Sequence, residues 1–374
     1  MADNNYMSLA LELAQKGCGW VSPNPMVGAV IVKNGEIIGK GWHQKYGELH
    51  AERNALADCN VSPEGATMYV TLEPCCHYGR TPPCTEAIIE SGIKRVIIGT
   101  LDPFPLVSGK GIAILREHGI EVVEGVMKPE CDKLNEVFFH FIHTERPFVM
   151  MKYAMTMDGK IATYTGASKW ITDELARQRV QEDRHRYSAI MVGVGTVLAD
   201  DPMLTCRLQN GRNPVRIICD THLKTPLNSQ IVQTATKVPT IIATSCAEDI
   251  KQYPLREAGC EILVIPRNGD YIDLDELMNS LGKLKIDSIL LEGGGTLNWS
   301  ALNSGIVNKV QCYIAPKLFG GTNAKSPISG QGVKEPNESY HLINTIITQI
   351  GEDFLIESEV EGSCLQESSR KSEQ

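Results

Sequence analysis

No run of eighteen or more apolar residues occurs in this chain of 374 residues, which excludes a helix long enough to span a membrane. Nor is a secretory leader expected. The opening MADNNYMSLALELAQKG reads as an amphipathic helix with acidic residues, not as a basic start followed by an apolar core. Positive charge is scarce: the net charge is −9 at pH 7, no basic cluster offsets it, and binding along a phosphate backbone needs a basic surface. Nucleic acid and membrane are therefore excluded as expected partners, while a few local basic residues could still hold a small anion. There is no internal repeat, no collagen or coiled-coil bias and no complete G-x-G-x-x-G. What remains is an ordinary globular composition, expected in the cytoplasm, whose length implies two domains that each bury a core.

Cysteine is present in number, twelve in all, but most sit singly in apolar runs such as RIICD (Cys219) and VQCYIA (Cys312), where a buried free thiol is the ordinary reading. Cys75, Cys76 and Cys84 stand apart, because close cysteines in a reducing compartment point to metal or redox chemistry.

The first 125 residues alternate in period and predict the order α-β-β-α-β-α-β-α-β, with Asn34-Gly35 as the turn of a type I′ hairpin. A largely parallel sheet covered on both faces by helices follows from that order, with the hairpin as its antiparallel pair. A helical connection leads to Pro147, where a second α/β alternation starts. HLINTIITQI and DFLIESEV succeed one another without a helix and should close the second sheet as an antiparallel hairpin. The expected division is 1–145, 146–361 and a polar tail 362–374 that should be disordered.

Two short stretches carry chemistry: HAERNAL (His50–Leu56) and TLEPCCHYGRTPPC (Thr71–Cys84). Catalytic zinc sites use three protein ligands and leave the fourth tetrahedral position open. His50, Cys75 and Cys84 supply such a set, placed where loops enter helices and thiolates are favoured. Glu52 lies two residues beyond His50, close enough to move a proton without ligating the metal. This is the general pattern of the zinc deaminases. A structural site closed by Cys76 or His77 is the bland alternative, but adjacent cysteines do not easily face one metal, and a structural site has no use for Glu52.

SPNPMVGAVIV, HAE, TLEPCCHYGRTPPC, DPFPLVSGKG, KYAMTMDGKIAT, SKWIT, GVGTVLADDPMLTCR, LEGGGTL and APKLFGG together closely resemble the bifunctional deaminase-reductases of riboflavin biosynthesis, from about Tyr6 to Ile356. The eight residues between Cys75 and Cys84 make the resemblance specific, since the general zinc deaminases separate theirs by two. It implies a cytidine-deaminase-like N-terminal domain with mixed sheet and helices on both faces. That domain would carry one Zn2+ per chain and deaminate diaminohydroxyphosphoribosylaminopyrimidine. Asn24, His43, His77, Arg80 and Asp102 would contact that substrate. Asn24 suits a pyrimidine edge and Arg80 a phosphate, although Asn24 between two prolines also reads as a turn residue. One departure stands out: Phe104 occupies a position where the family pattern carries asparagine. Phenylalanine lacks a hydrogen-bonding group, so weaker binding is the expectation, with replacement by another donor, stacking on the pyrimidine or packing against the neighbouring prolines as alternatives.

In the second half, AIMVGVGT (Ala189–Thr196) and SILLEGGGT (Ser288–Thr296) each place glycines after an apolar strand, where a backbone can approach a phosphate. From spacing alone, a tight strand-to-helix turn explains them equally well. The resemblance implies a dihydrofolate-reductase-like α/β domain that uses NADPH to reduce the ribosyl group to ribityl. Ala154, Trp170, Thr196, Asp200 and Gly293, Gly294 and Gly295 would contact NADPH. Ser168, Arg184, Leu204, Arg207 and Glu292 would contact substrate, with Lys152 and Asp158 lining the site. By default Arg184 is a solvated helix residue, and Asp200 and Asp158 read equally well as cap or turn residues. Small phosphoribosyl pyrimidines are the expected partners, and a homo-oligomer the expected state. Two rivals are a nucleic-acid base deaminase fused to a nucleotide-binding domain and a zinc-stabilised nucleotide sensor without turnover. The first lacks a basic groove, and the second has no need of Glu52.

Overall fold

The computed structural model describes residues 2–362; the tail from 363 onward lies outside the described residues. The chain divides into two compact units, Met1–His143 and Thr144–Gln374.

In the first unit the elements run α1 Ala2–Gln15, β1 Gly28–Lys33, β2 Glu36–Trp42, α2 Ala51–Ala57, β3 Thr67–Leu72, α3 Cys84–Glu90, β4 Arg95–Thr100, α4 Lys110–Glu117, β5 Glu121–Val123, α5 Lys128–Leu134 and α6 Glu136–Thr144, the last residue of α6 falling in the second unit. Asn34 and Gly35 both take positive φ (55° and 84°), the requirement of a type I′ turn, and β1 pairs antiparallel with β2. The sheet order is β2-β1-β3-β4-β5, antiparallel at β1–β3 and parallel from β3 to β5. Side chains alternate across it. Ala29, Ile31, Met68, Val70, Val96 and Ile98 pack under α2, α3 and α4, while Val30, Val32, Tyr69 and Ile97 meet α1 and α5 on the other face.

The second unit runs β6 Phe148–Thr156, α7 Glu174–Arg186, β7 Ala189–Gly193, α8 Val194–Asp200, β8 Val215–Cys219, α9 Gln230–Gln233, β9 Thr240–Thr244, α10 Asp249–Glu257, β10 Glu261–Val264, a small hairpin β11 Arg267–Asn268 and β12 Tyr271–Ile272, α11 Leu274–Lys283, β13 Ser288–Leu291, α12 Gly295–Asn303, β14 Lys309–Ala315, β15 Leu342–Ile350 and β16 Asp353–Val360. Its nine-stranded sheet has the order β10-β9-β8-β7-β13-β6-β14-β16-β15. The first seven strands in that order are mutually parallel. β16 and β15 finish the sheet as the antiparallel hairpin expected from the sequence. β13 is buried along its whole length, as a strand covered on both faces must be. α11 and α12 pack on one face and α8, α9 and α10 on the other. Asp173 and Asp273 start α7 and α11 by accepting from first-turn amides.

Candidate functional site

In the first unit, His50 is the N-cap of α2 and Cys84 the first residue of α3, and Cys75 follows the end of β3. These turns bring His50 Nδ1 within 3.4 Å of both the Cys75 and the Cys84 sulfur, and the three ligand atoms lie within 4.8 Å of one another. A tetrahedral zinc with ordinary Zn–S and Zn–N lengths sets N···S separations of about 3.6 Å, so the donor set fits zinc. The thiols share one favourable anionic position: hydrogen bonding from Cys84, then from His50, draws Cys75 down against the effect of burial, while Cys84 is pushed up. Among the described residues no fourth protein ligand joins the cluster. Cys76 Sγ instead donates to the Leu106 carbonyl at 3.5 Å.

Glu52, on the first turn of α2, is 3% exposed; burial, then the charge of Cys75, raises its carboxyl to about 7. His43 is buried beside the cluster, its ring edge-on to His50 at 5.4 Å. Its Nδ1 lies 3.1 Å from the Leu49 carbonyl and its Nε2 3.2 Å from Asn24 Nδ2. A neutral ring that donates from Nδ1 and accepts at Nε2 satisfies both contacts, and burial lowers the pKa of His43 in the same sense, against the Leu49 hydrogen bond. Asn24 also closes a turn, its N–H donating to the Val21 carbonyl, as its place between two prolines suggested.

His77 Nδ1 is buried without a protein partner, and the ring tilts against Phe104 at 5.8 Å between centroids. Phe104 thus has the His77 ring as a packing partner. The Arg80 guanidinium lies over the Tyr46 ring at 4.6 Å. Asp102 is buried and its carboxyl raised to about 7, chiefly by that burial, while it accepts from the Phe104 N–H at 2.8 Å. Glu73 was not singled out by the sequence. Buried just before Cys75, it accepts from the N–H groups of Asp102, Gly109 and Ile112 at 3.3, 3.0 and 3.3 Å and so anchors the loop that carries Asp102 and Phe104. A lone acid at the end of an apolar strand was its only signal.

In the second unit the two glycine stretches become the turns β7→α8 and β13→α12, on adjacent parallel strands. Both helices are capped by glycine without a side-chain hydrogen bond, which leaves first-turn N–H groups available to an anion. A Cβ at Gly195 would meet nothing within 4 Å, and one at Gly294 only Thr196 Oγ1 at 3.9 Å, so backbone there borders open space. Gly293 and Gly295 are different: a Cβ on either would strike Asn298 or Ser329, and packing requires them. This cradle fits the phosphates of a dinucleotide.

Beside it, Arg184 Nε and Nη2 grip both Glu292 oxygens at 2.8 and 3.0 Å, with side chains only 13% and 15% exposed. Arg184 is therefore not a solvated helix residue. Burial acts to raise Glu292, but Arg184 and Lys152 outweigh it and hold the carboxyl at about 2, with Arg207 adding to them. Lys152, on β6, is lowered by burial against the pull of Glu292, and Ala154 lies two residues along the same strand. Leu204 is buried with φ 52°, so its main chain is what it presents. The Arg207 side chain is exposed, and its N–H donates to Gln181 at 3.0 Å.

Trp170 is 57% exposed, with Arg177 over its ring at 4.9 Å; Ser168, partly buried, precedes it on the same loop. Asp158 is a turn residue: it accepts from Thr156 Oγ1 at 2.5 Å and from the N–H groups of Phe319 and Gly320 at 3.1 and 2.7 Å. Asp200 ends α8 and is exposed, which rules out the N-cap reading. Arg177 and Lys317, whose ammonium donates to the Trp170 carbonyl at 3.2 Å, were not foreseen.

Comparison with known proteins covers both units. Residues 1–100 match the cytidine and deoxycytidylate deaminase zinc-binding region, and residues 147–356 match the RibD C-terminal domain. The chain is 57% identical to the riboflavin biosynthesis protein RibD of Actinobacillus pleuropneumoniae, over 96% of this chain and 95% of that one. It is 42% identical to the RibD of Escherichia coli (strain K12), over 95% and 99%. A crystal structure from Thermotoga maritima, described as a diaminohydroxyphosphoribosylaminopyrimidine deaminase/5-amino-6-(5-phosphoribosylamino)uracil reductase, is similar with a TM-score of 0.84 and 41% identity, covering 96% of this chain and 99% of that one.

Proposed function

This chain belongs to the RibD family of riboflavin-biosynthesis proteins, and from that premise we propose how its two sites divide the work. It is a bifunctional enzyme, a zinc-dependent deaminase and an NADPH-dependent reductase. The observation that carries the assignment is the His50–Cys75–Cys84 triangle with buried Glu52 beside it.

In the first reaction the ring amine of diaminohydroxyphosphoribosylaminopyrimidine is exchanged for the oxygen of water and leaves as ammonia. Zinc held by His50, Cys75 and Cys84 supplies the Lewis acidity that makes water a nucleophile at neutral pH. Glu52 takes a proton from the attacking water and returns it to the leaving nitrogen. Asn24, fixed by His43, reads the pyrimidine edge. His77 offers its unpartnered Nδ1, Asp102 contacts the substrate, and Arg80 meets the phosphate.

In the second reaction bound NADPH would supply the hydride, and solvent the further proton, that convert ribosyl to ribityl. The turns at Thr196 and Gly293–Gly295 hold its phosphates, with Ala154, Trp170 and Asp200 as further contacts. Ser168, Arg184, Leu204, Arg207 and Glu292 position the deaminated substrate, with Lys152 alongside. Asp158 acts through the loop it clamps. Positioning dominates here, because hydride transfer requires chiefly that donor and acceptor carbons be held together.

We place the enzyme in the cytoplasm, a reading supported by free cysteines throughout the described residues; no helix among them is long and apolar enough to cross a membrane. A homo-oligomer is supported by the outer edge strand β15, where Leu342, Ile346 and Ile347 are exposed. Nucleic acid is not a partner in this reading. The base-deaminase and sensor alternatives lose ground, because family relatives match almost the whole chain.

The test is to incubate the protein with the pyrimidine, with and without NADPH, and to follow ammonia release and NADPH oxidation. Glu52→Gln should reduce ammonia release by at least about 100-fold, with zinc content and reduction of the deaminated intermediate unchanged. Ammonia release near the parent rate would remove Glu52 from the mechanism.

A further inference from the structure

We infer that Arg267, His222 and Ser245 form a subsite for the phosphomonoester on the adenosine ribose of NADPH, and so select NADPH over NADH. The inference rests on the reductase reading above. β9, β8, β7, β13 and β6 are adjacent and parallel, so their C-terminal ends share one edge. The glycine turns follow the two middle members of the run β8-β7-β13-β6, and Lys152 and the Arg184–Glu292 pair lie toward β6. A dinucleotide crossing this edge, with diphosphate at the glycine turns and reactive ring toward β6, has its adenosine directed to the ends of β8 and β9.

At that place β8 runs into Asp220, Thr221 and His222, and β9 into Ser245. Arg267, opening the β11–β12 hairpin, folds back onto both: its Nε donates to Ser245 Oγ at 2.8 Å and its Nη2 to His222 Nδ1 at 3.1 Å. Ser245 Oγ donates onward to the Thr221 carbonyl at 3.0 Å. The guanidinium is therefore oriented by neutral acceptors, without a carboxylate partner among the described residues, and the residue is exposed. An arginine fork so held matches phosphate geometry. Accepting at Nδ1 also leaves the proton of a neutral His222 on Nε2, a second donor at the same place.

The turn that presents His222 is fixed, because Asp220 accepts from both the N–H and the Oγ1 of Thr225 at 2.7 Å. An acid at this strand end would favour the ribose hydroxyl of NADH. Here that acid, Asp220, is fully buried: Thr225 takes one of its oxygens, and the other is buried in the turn, away from solvent and from an incoming ribose.

Calorimetric titration of the full chain with 2′,5′-ADP, 5′-AMP, NADPH and NADH tests the subsite without turnover. The parent should bind 2′,5′-ADP at least about tenfold more tightly than 5′-AMP, the value of one charge-assisted hydrogen bond or more. Arg267→Gln should bring the two within about threefold by weakening only 2′,5′-ADP, with the NADPH:NADH ratio falling in parallel. His222→Gln should remove part of the preference. An unchanged preference in Arg267→Gln, or equal weakening of both nucleotides, overturns the subsite while leaving the reductase reading intact. Failure of the parent to bind either NADPH or 2′,5′-ADP overturns that reading, and the subsite with it.

Discussion

Phe104 shows how a single side chain can redirect an expectation. Its lack of a hydrogen-bonding group suggested a lost contact, but the ring rests against His77, and the loop beneath it is held by three amides donating to Glu73. A ring so placed extends the site wall with an apolar face on which a pyrimidine can stack, and this favours an adapted contact. Phe104→Asn is then expected to raise the deaminase KM about threefold to tenfold, the equivalent of about 1 kcal/mol of aromatic contact, with the reductase unaffected. Steady-state ammonia release decides it, since a lower KM would restore the lost-contact account. The ligating residues His50, Cys75 and Cys84 were legible in the sequence because their chemistry is carried by residue type and short spacing. Glu73 and Arg177 were not. Glu73 acts through hydrogen bonds to residues 29 to 39 positions away, and Arg177 through a ring on the preceding loop, relations that leave no local period.

Among elements, those whose period repeats were readable: the first nine follow the order the alternation implies, and the I′ turn and terminal hairpin stand where turn chemistry put them. α8 was missed because it is short and its first three residues lie inside a stretch read as a glycine turn, and β11 and β12 because two residues make no pattern. The seating of α1 on β1 depends on Gly28, whose missing side chain admits the helix backbone: a Cβ there would overlap the Ala10 carbonyl and lie 2.8 Å from the Ala14 nitrogen. Neither neighbour is a flexible tip, so Gly28→Ala must push the helix off the sheet. Overpacking of this kind costs about 1 to 3 kcal/mol or more. The variant should therefore unfold and release its zinc at lower urea than the parent, measured by circular dichroism with a zinc indicator. An unchanged midpoint would mean that α1 shifts freely.

At the scale of the whole molecule, each unit has its own sheet and core. We expect a fragment of residues 1–145 to fold, bind one zinc and release ammonia from the pyrimidine without the remainder. A soluble, zinc-loaded fragment with no deaminase activity would show that the sites are not separable. The sheets differ in when they can be completed. The first is finished by Val123, each strand finding a neighbour soon after it appears. In the second, β6 is the first strand made, yet both its neighbours, β13 and β14, begin at Ser288 and Lys309. At a ribosomal pace of about 5 to 20 residues per second, β6 waits on the order of ten seconds with both edges bare. It carries the apolar run FVMM throughout that interval. The half of the protein that binds the nucleotide is thus the half most exposed to misassembly during synthesis, and slower translation through residues 157–287 would lengthen that exposure without altering a single contact in the finished enzyme.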